Sequence, residues 1–315
     1  VLDGSGVSDV SRVRGNAIIS TTNGTITDEG SWTVTGTTSL IADADQDITL
    51  NNANDFGGAV SATADDLTIH DAGTGGTAGI DFGTVTLTDD LQVTALGPIT
   101  DSGTIIVADR LRASGVDVGN PVSVSFDTST NQLSRVITEF ATDVTLADSA
   151  GNLVIGDNGS DFGSGDTASS IAGNLTINYS GGGTLHDGGT SSTTATAAIV
   201  NVGGATTIVA NGETVNFDYS GNQWGTLSID TSGAGAQDAG TIDVNSIALV
   251  AGALDASSES GTPAVIDINV ATSWQATGAM NGASMTVDGN SGGTETFIFS
   301  AGSSWSGAGN LTVSG

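Results

Sequence analysis

The chain has 315 residues; Gly, Thr, Ser and Asp make up half of them, and five Arg, no Lys and no Cys stand against 35 carboxylates, for a net charge of -30. So few cations cannot form the basic patch that neutralises phosphates, which excludes a nucleic-acid-binding surface. The same composition excludes a Walker-type phosphate loop, a Schiff-base lysine, a thiol nucleophile, a cysteine-ligated metal and any disulfide staple. Apolar residues reach only 37%, yet Val, Ile, Leu and Phe recur steadily, which a disordered chain does not show. No run of about 18 apolar residues is present, so no membrane-spanning helix is expected. The chain opens on Val1-Leu2-Asp3 without Met, which fits a removed signal peptide or a piece of a longer protein.

In chain order, short apolar-x-apolar triplets predict strands. They begin with Ile48-Thr49-Leu50, Leu67-Thr68-Ile69, Val85-Thr86-Leu87, Ile105-Ile106-Val107 and Val122-Ser123-Val124. They go on through Val144-Thr145-Leu146, Leu175-Thr176-Ile177, Leu227-Ser228-Ile229, Ile247-Ala248-Leu249, Ile266-Asp267-Ile268, Met285-Thr286-Val287 and Leu311-Thr312-Val313. Successive starts differ by 17 to 20 residues in the runs 48–122 and 227–285. That period is too short for a helix-pair repeat and fits one turn of a parallel β-solenoid of about 20 residues per turn. Alternation puts the outer residues of each triplet on one face, so Ile48, Leu50, Leu67, Ile69, Val85, Leu87, Leu227 and Ile229 should point inward. A sandwich of short strands is disfavoured by the constant spacing and the scarcity of hairpin signals.

Two further words repeat. Ile26-Thr27-Asp28-Glu29-Gly30, Ile69-His70-Asp71-Ala72-Gly73, Ile99-Thr100-Asp101-Ser102-Gly103 and Leu185-His186-Asp187-Gly188-Gly189 read as a strand end followed by an Asp-anchored turn closed by Gly. Asp-Phe-Gly occurs at 55–57, 81–83 and 161–163. Without Lys or a catalytic-loop motif this is not a kinase metal motif but a corner with Phe filling the interior. Residues 108–142 break the rhythm, hold three of the five Arg and are expected as an irregular excursion or short helix on the solenoid wall. That stretch is too short to bury a core of its own, so the chain is read as one elongated domain over 1–315.

The stretches Trp32-Thr33-Val34-Thr35-Gly36-Thr37-Thr38-Ser39-Leu40, 47–61 and Pro98-Ile99-Thr100-Asp101-Ser102-Gly103 followed by Ile105-Ile106-Val107 resemble the passenger repeats of filamentous-haemagglutinin-like exoproteins. The resemblance covers 20–110 well and 140–315 loosely. It implies a right-handed parallel β-helix and a bacterial surface or secreted adhesin. That family's secretion domain carries Asn-Pro-rich motifs, matched here only by Asn120-Pro121, so the resemblance implies a passenger segment rather than an export module.

Chemistry is sparse. His70 and His186, each followed by Asp, occupy a repeat position that holds Thr in the sister copies, which argues against a catalytic triad. Asp65-Asp66 and Asp89-Asp90 are the pairs a polysaccharide hydrolase would use, but neighbouring strand residues point to opposite faces. No catalytic residue and no cofactor is therefore expected, and the chain is not read as an enzyme. The run Gly156–Asp166 resembles one turn of a Gly-Asp calcium repeat and nominates Asp157, Asp161 and Asp166 as Ca²⁺ ligands; the loop Asp43-Ala44-Asp45-Gln46-Asp47 is also oxygen-rich. Trp32, Trp274 and Trp305 share a Ser-Trp word and are expected to be buried; exposed, they would suit surface glycans. Leu311–Gly315 stops on a repeat triplet, so the chain is expected to continue in a longer parent or to stack end to end on another copy.

Overall fold

A computed structural model describes residues 11–73, 79–156, 169–187, 200–289, 296–307 and 309–314. Among them every regular element is a strand, and no helix is long and apolar enough to cross a membrane. The chain divides into two compact units, Val1–Ser149 and Ala150–Gly315.

Among the described residues of the first unit the strand pairings are parallel, and they build ladders in which successive turns stack on one another, with register shifts at a few points. One ladder joins Ile48, Leu67, Leu91, Leu111 and Val136. A second joins Ala62, Val85 and Ile105, and a third joins Ile80, Ile99, Val124 and Val144. Parallel strands cannot be joined by two-residue hairpins, so each must return by a crossover, and stacked crossovers are what make a coil of turns. The architecture is that of a parallel β-solenoid.

The inward faces follow from strand alternation. Leu67–Asp71 and Leu91–Ala95 read buried, half-buried, buried along their length. Ile48, Leu50, Leu67, Ile69, Val85 and Leu87 are all at most 1% exposed, as are Leu227 and Ile229 of the second unit. The two Asp-Phe-Gly words within the described residues bury Phe56 and Phe82, and Phe82 lies 6.3 Å from the ring of Phe126. The third copy, at 161–163, lies outside the described residues.

The triplets do not all stack on one wall. Ile48 and Leu67 share the first ladder, Val85 and Ile105 the second, and Val124 and Val144 the third. The even spacing of triplets thus mixed steps along a ladder with steps from wall to wall. Stacked residues in the first ladder are 19, 24, 20 and 25 positions apart.

Residues 108–142 are not an excursion and hold no helix. Leu111–Gly115, Val122–Phe126, Gln132–Leu133 and Arg135–Glu139 are strands in the same parallel ladders. The pattern was hard to read because Ile137 and Glu139, which alternate with inward Val136 and Thr138, are buried as well. With both faces covered the strand loses its polar-apolar alternation.

The second unit repeats the plan with larger turns. Its longest ladder runs Leu153, Leu185, Val215, Ile242, Ile266, Met285 and Leu311, and the steps range from 19 to 32 residues. Phe217 stacks on Trp224 with ring centroids 4.6 Å apart, and Trp274 meets Phe299 edge-on at 5.1 Å. Trp32 and Trp274 are buried as expected, while Trp305 is half-buried.

Candidate functional site

The Asp of the repeated turn word is an anchor, buried at Asp28, Asp71 and Asp187 and half-buried at Asp101. Asp28 accepts hydrogen bonds from Nδ2 of Asn54 (2.8 Å) and from the backbone N–H groups of Asn51 and Asn52. The Oδ1 of Asn54 in turn accepts the N–H of Trp32 at 2.8 Å. The arrangement recurs at Asp101, Asn131 and Ile105, where Nδ2 of Asn131 donates to Asp101 at 2.7 Å and Oδ1 accepts from Ile105 at 2.8 Å. In the second unit Asn222 donates to Asp187 at 2.7 Å and accepts the N–H of Val200 at 2.9 Å. Asn is required at the middle position because only an amide donates and accepts at once. Asp71 and Asp148 take the capturing role one turn further on, accepting the N–H groups of Phe56 (3.2 Å) and Leu133 (2.7 Å). Burial pushes the carboxyl of Asp71 up to about 6, partly opposed by the N–H groups of Gly73 and Phe56.

These contacts decide the histidines. The carboxylate after each His is engaged with backbone and amide groups of its corner, not with an imidazole. Nδ1 of His186 lies 3.0 Å from the carbonyl of Asp187, and the buried Nε2 of His70 has no hydrogen-bond partner. Neither histidine is presented to a serine hydroxyl by any of the described contacts.

Carboxylates do converge at another corner of the first unit. Backbone bonds from Asp89 N to Asp65 O and from Asp109 N to Asp89 O stack Asp65, Asp89 and Asp109 in one column. Asp66, Asp90 and Arg110 form a second, their carbonyls accepting from Ile48, Leu67 and Leu91. Carboxylate oxygens of Asp89, Asp90 and Asp109 all lie within 4.8 Å of one another. Thr88 Oγ1 donates to Asp65 at 2.6 Å, and Asp90 N donates to Asp66 at 2.9 Å. The buried guanidinium of Arg110 stands 4.0 Å from Asp90 and 3.8 Å from Asp109. Burial pushes Asp90 up to about 6 against the pull of Arg110, with Asp89, Asp109 and Asp66 adding repulsion. Asp89 and Asp47 are also raised, first by burial and then by the neighbouring carboxylates.

Sequence reading set Asp65-Asp66 and Asp89-Asp90 aside as neighbours on opposite faces of a strand, but Asp89 and Asp90 lie in a bend after the strand and bring oxygens within 4.8 Å of each other. Sequence reading also missed Asp109 and Arg110, which arrive from the next turn some 20 positions later. Chemically the corner offers hard oxygen ligands of the kind Ca²⁺ takes, with one internal cation already offsetting their charge. The nominated ligands Asp157, Asp161 and Asp166 lie outside the described residues.

This is the structure of a parallel-β repeat protein. Residues 3–63 and 64–139 match, as two repeats, the model of a family described as repeats of unknown function (DUF5649). No curated protein and no solved structure matches the chain. The comparisons support repetition itself and supply no link to filamentous-haemagglutinin-like exoproteins.

Proposed function

We propose that the chain is an extracellular structural and adhesive protein: a rod segment of a bacterial surface adhesin, or a subunit that stacks head to tail into a filament. The observation that carries this reading is the build of the walls, in which stacked turns bury an apolar column and turn Thr, Ser, Asn and Asp outward. Such a coil is stiff along its axis, and its acidic sides oppose lateral clumping. A right-handed coil belongs to the same reading, as does one continuous domain across both units. Surface glycans are the target class this reading gives the side walls. Electron microscopy and light scattering of the purified chain test it: fibres or long rods are expected, and a compact globular monomer would refute it.

An enzyme acting on polysaccharide, hydrolase or lyase, is the second reading, and the cluster of Asp89, Asp90 and Asp109 favours a hydrolase. Two carboxyl groups with oxygens within 4.8 Å of one another, one of them raised to about 6 by burial, are the kind of pair a retaining mechanism uses. Release of reducing ends from acidic and neutral glycans, lost in Asp90→Asn, would establish it; no release would remove it.

A further inference from the structure

Ten large apolar side chains are notably exposed among the described residues, and four of them gather at one corner of the first unit: Leu96 (39%), Val116 (38%), Val118 (81%) and Phe140 (38%). Register explains the gathering. Ala95 pairs with Gly115 and Ser114 pairs with Glu139, so Leu96, Val116 and Phe140 leave the ends of three successive stacked strands. Val118 extends the strip on the loop that follows. Scattered exposed aliphatics need no explanation, but a contiguous strip does.

Phe140 adds an independent observation. By register it falls beside Gly115, next to an interior position, yet its φ of 48° turns the chain there. The only other non-glycine residue with positive φ among the described residues is Asn211. Asn tolerates that region, whereas a bulky aromatic does not. Its neighbour accommodates the bend: a Cβ on Gly115 would lie 2.5 Å from the carbonyl oxygen of Asn120 and 2.9 Å from that of Phe140. A strained backbone at a partly exposed aromatic residue is the kind of outlier from which function is inferred.

The charges around the strip name its occupant. Asp117, between Val116 and Val118, is exposed and caps its own loop by accepting from Gly119 N at 2.7 Å. Arg112, on the strand that leads into Val116, is paired with Glu139. The exposed charge within the strip, Asp117, is therefore negative, in a unit whose 21 carboxylates and five Arg leave it at -16. Two copies meeting here would bring like charge to like, and an anionic lipid surface would be repelled in the same way.

We propose that the strip Leu96–Val116–Val118–Phe140 is a docking surface for a partner protein segment that carries aliphatic side chains interleaved with Lys or Arg. The inference goes beyond the adhesive reading and holds whether or not the chain forms rods. The test titrates the full chain against a short labelled peptide alternating Leu and Lys, and against one alternating Ser and Lys, at physiological ionic strength, read by fluorescence anisotropy. The Leu/Lys peptide should bind at least about tenfold more tightly than the Ser/Lys peptide. A Leu96→Ser/Val118→Ser variant, unchanged in net charge, should abolish that difference while keeping its circular dichroism. Phe140→Asn, whose new residue accepts positive φ, should weaken the Leu/Lys peptide without lowering the melting temperature. Equal binding of the two peptides, or an unaffected double variant, would overturn the proposal. So would a concentration-dependent dimer, seen by ultracentrifugation, that the double variant abolishes, since it would make a second copy the occupant.

Discussion

The two units solve the same corner problem with very different lengths of chain. In the first, Asp101 and the captured N–H of Ile105 are four residues apart; in the second, Asp187 and that of Val200 are thirteen apart. The closing Asn follows its Asp by 26, 30 and 35 positions in the three copies. A lengthened loop adds little closure entropy, so turn length can drift while the side-chain geometry at the corner stays fixed. What repeats in this protein is a hydrogen-bond unit rather than a residue count. The units also differ in charge. All five Arg lie in the first, whereas the second has 14 carboxylates and no cation.

If the corner unit is what holds the turns, removing its amide should cost the same in both places. Asn131→Ala and Asn222→Ala each leave a captured backbone N–H without its acceptor and remove one donor from the corner carboxylate. That carboxylate keeps the N–H groups of Asp127 and Thr128 in one case and of Tyr219 in the other, and each variant should destabilise the chain by about 2 kcal/mol. Urea unfolding reads the total, and hydrogen exchange at Ile105 and Val200 reads each corner separately. A loss confined to the short-turn copy would show that the long turn is held by something else.

The charge contrast gives an effect of similar size. Arg110→Met leaves Asp90 beside Asp89, Asp109 and Asp66 without the buried guanidinium, which should cost about 2 kcal/mol and raise Asp90 further. Asp243 of the second unit, already pushed up to about 6 by burial and by Asp267 and Asp218, should be unmoved. NMR titration of the carboxyl groups separates the two. An equal shift at both sites would mean a global change rather than the loss of one local cation.

Much of this was legible in the sequence because parallel strands write their inward faces as alternation. Leu67-Thr68-Ile69 shows its orientation in three letters, and the Asp-x-Gly words mark corners through capping by Asp and close approach at Gly, since a Cβ on Gly73 or Gly103 would press on Asp55 or on the backbone of Gly83. The ladder to which a triplet belongs was not legible: Val85 follows Leu67 by 18 residues, as evenly as a stacked neighbour would, but lies on another wall. Nor were the partners of the Asp anchors, since Asn54, Asn131 and Asn222 arrive at unequal distances that no fixed period finds. Burial of both faces hid the strand Arg135–Glu139, and the charge column of Asp90 and Arg110 was hidden because its members come from different turns.

Acidification should stabilise the protein, and the sign follows from the raised carboxyls. Asp71, Asp90 and Asp243 sit near 6 when folded, above an unperturbed value of 3.8. Between those values the folded state binds more protons than the unfolded one, so the stability they contribute is present at about pH 4 and lost as pH rises through 6. The melting temperature should therefore increase by a few degrees from pH 7 to pH 5. Asp71→Asn should flatten the first unit's share, and Asp243→Asn the second's. A melting temperature that falls over this range would show that the raised values are wrong.

The smallest effect expected is at the two histidines, which sit at equivalent positions of the repeated word, one in each unit. His186 makes a local contact to the carbonyl of Asp187, and His70 holds a buried Nε2 without a hydrogen-bond partner. Replacing a ring with an unsatisfied buried nitrogen removes a penalty together with some packing, so His70→Ala should change stability by no more than about 0.5 kcal/mol. His186→Ala loses one local contact and should cost slightly more, within about 1 kcal/mol. Both variants should also leave any binding activity intact, because the neighbouring Asp71 and Asp187 serve backbone and amide groups of their corners. Thermal melts and the peptide titration check the two statements together. A large loss of binding in either variant with an unchanged melt would mean that the imidazole, not the corner, is what that position presents, and it would return both histidines to consideration as site residues.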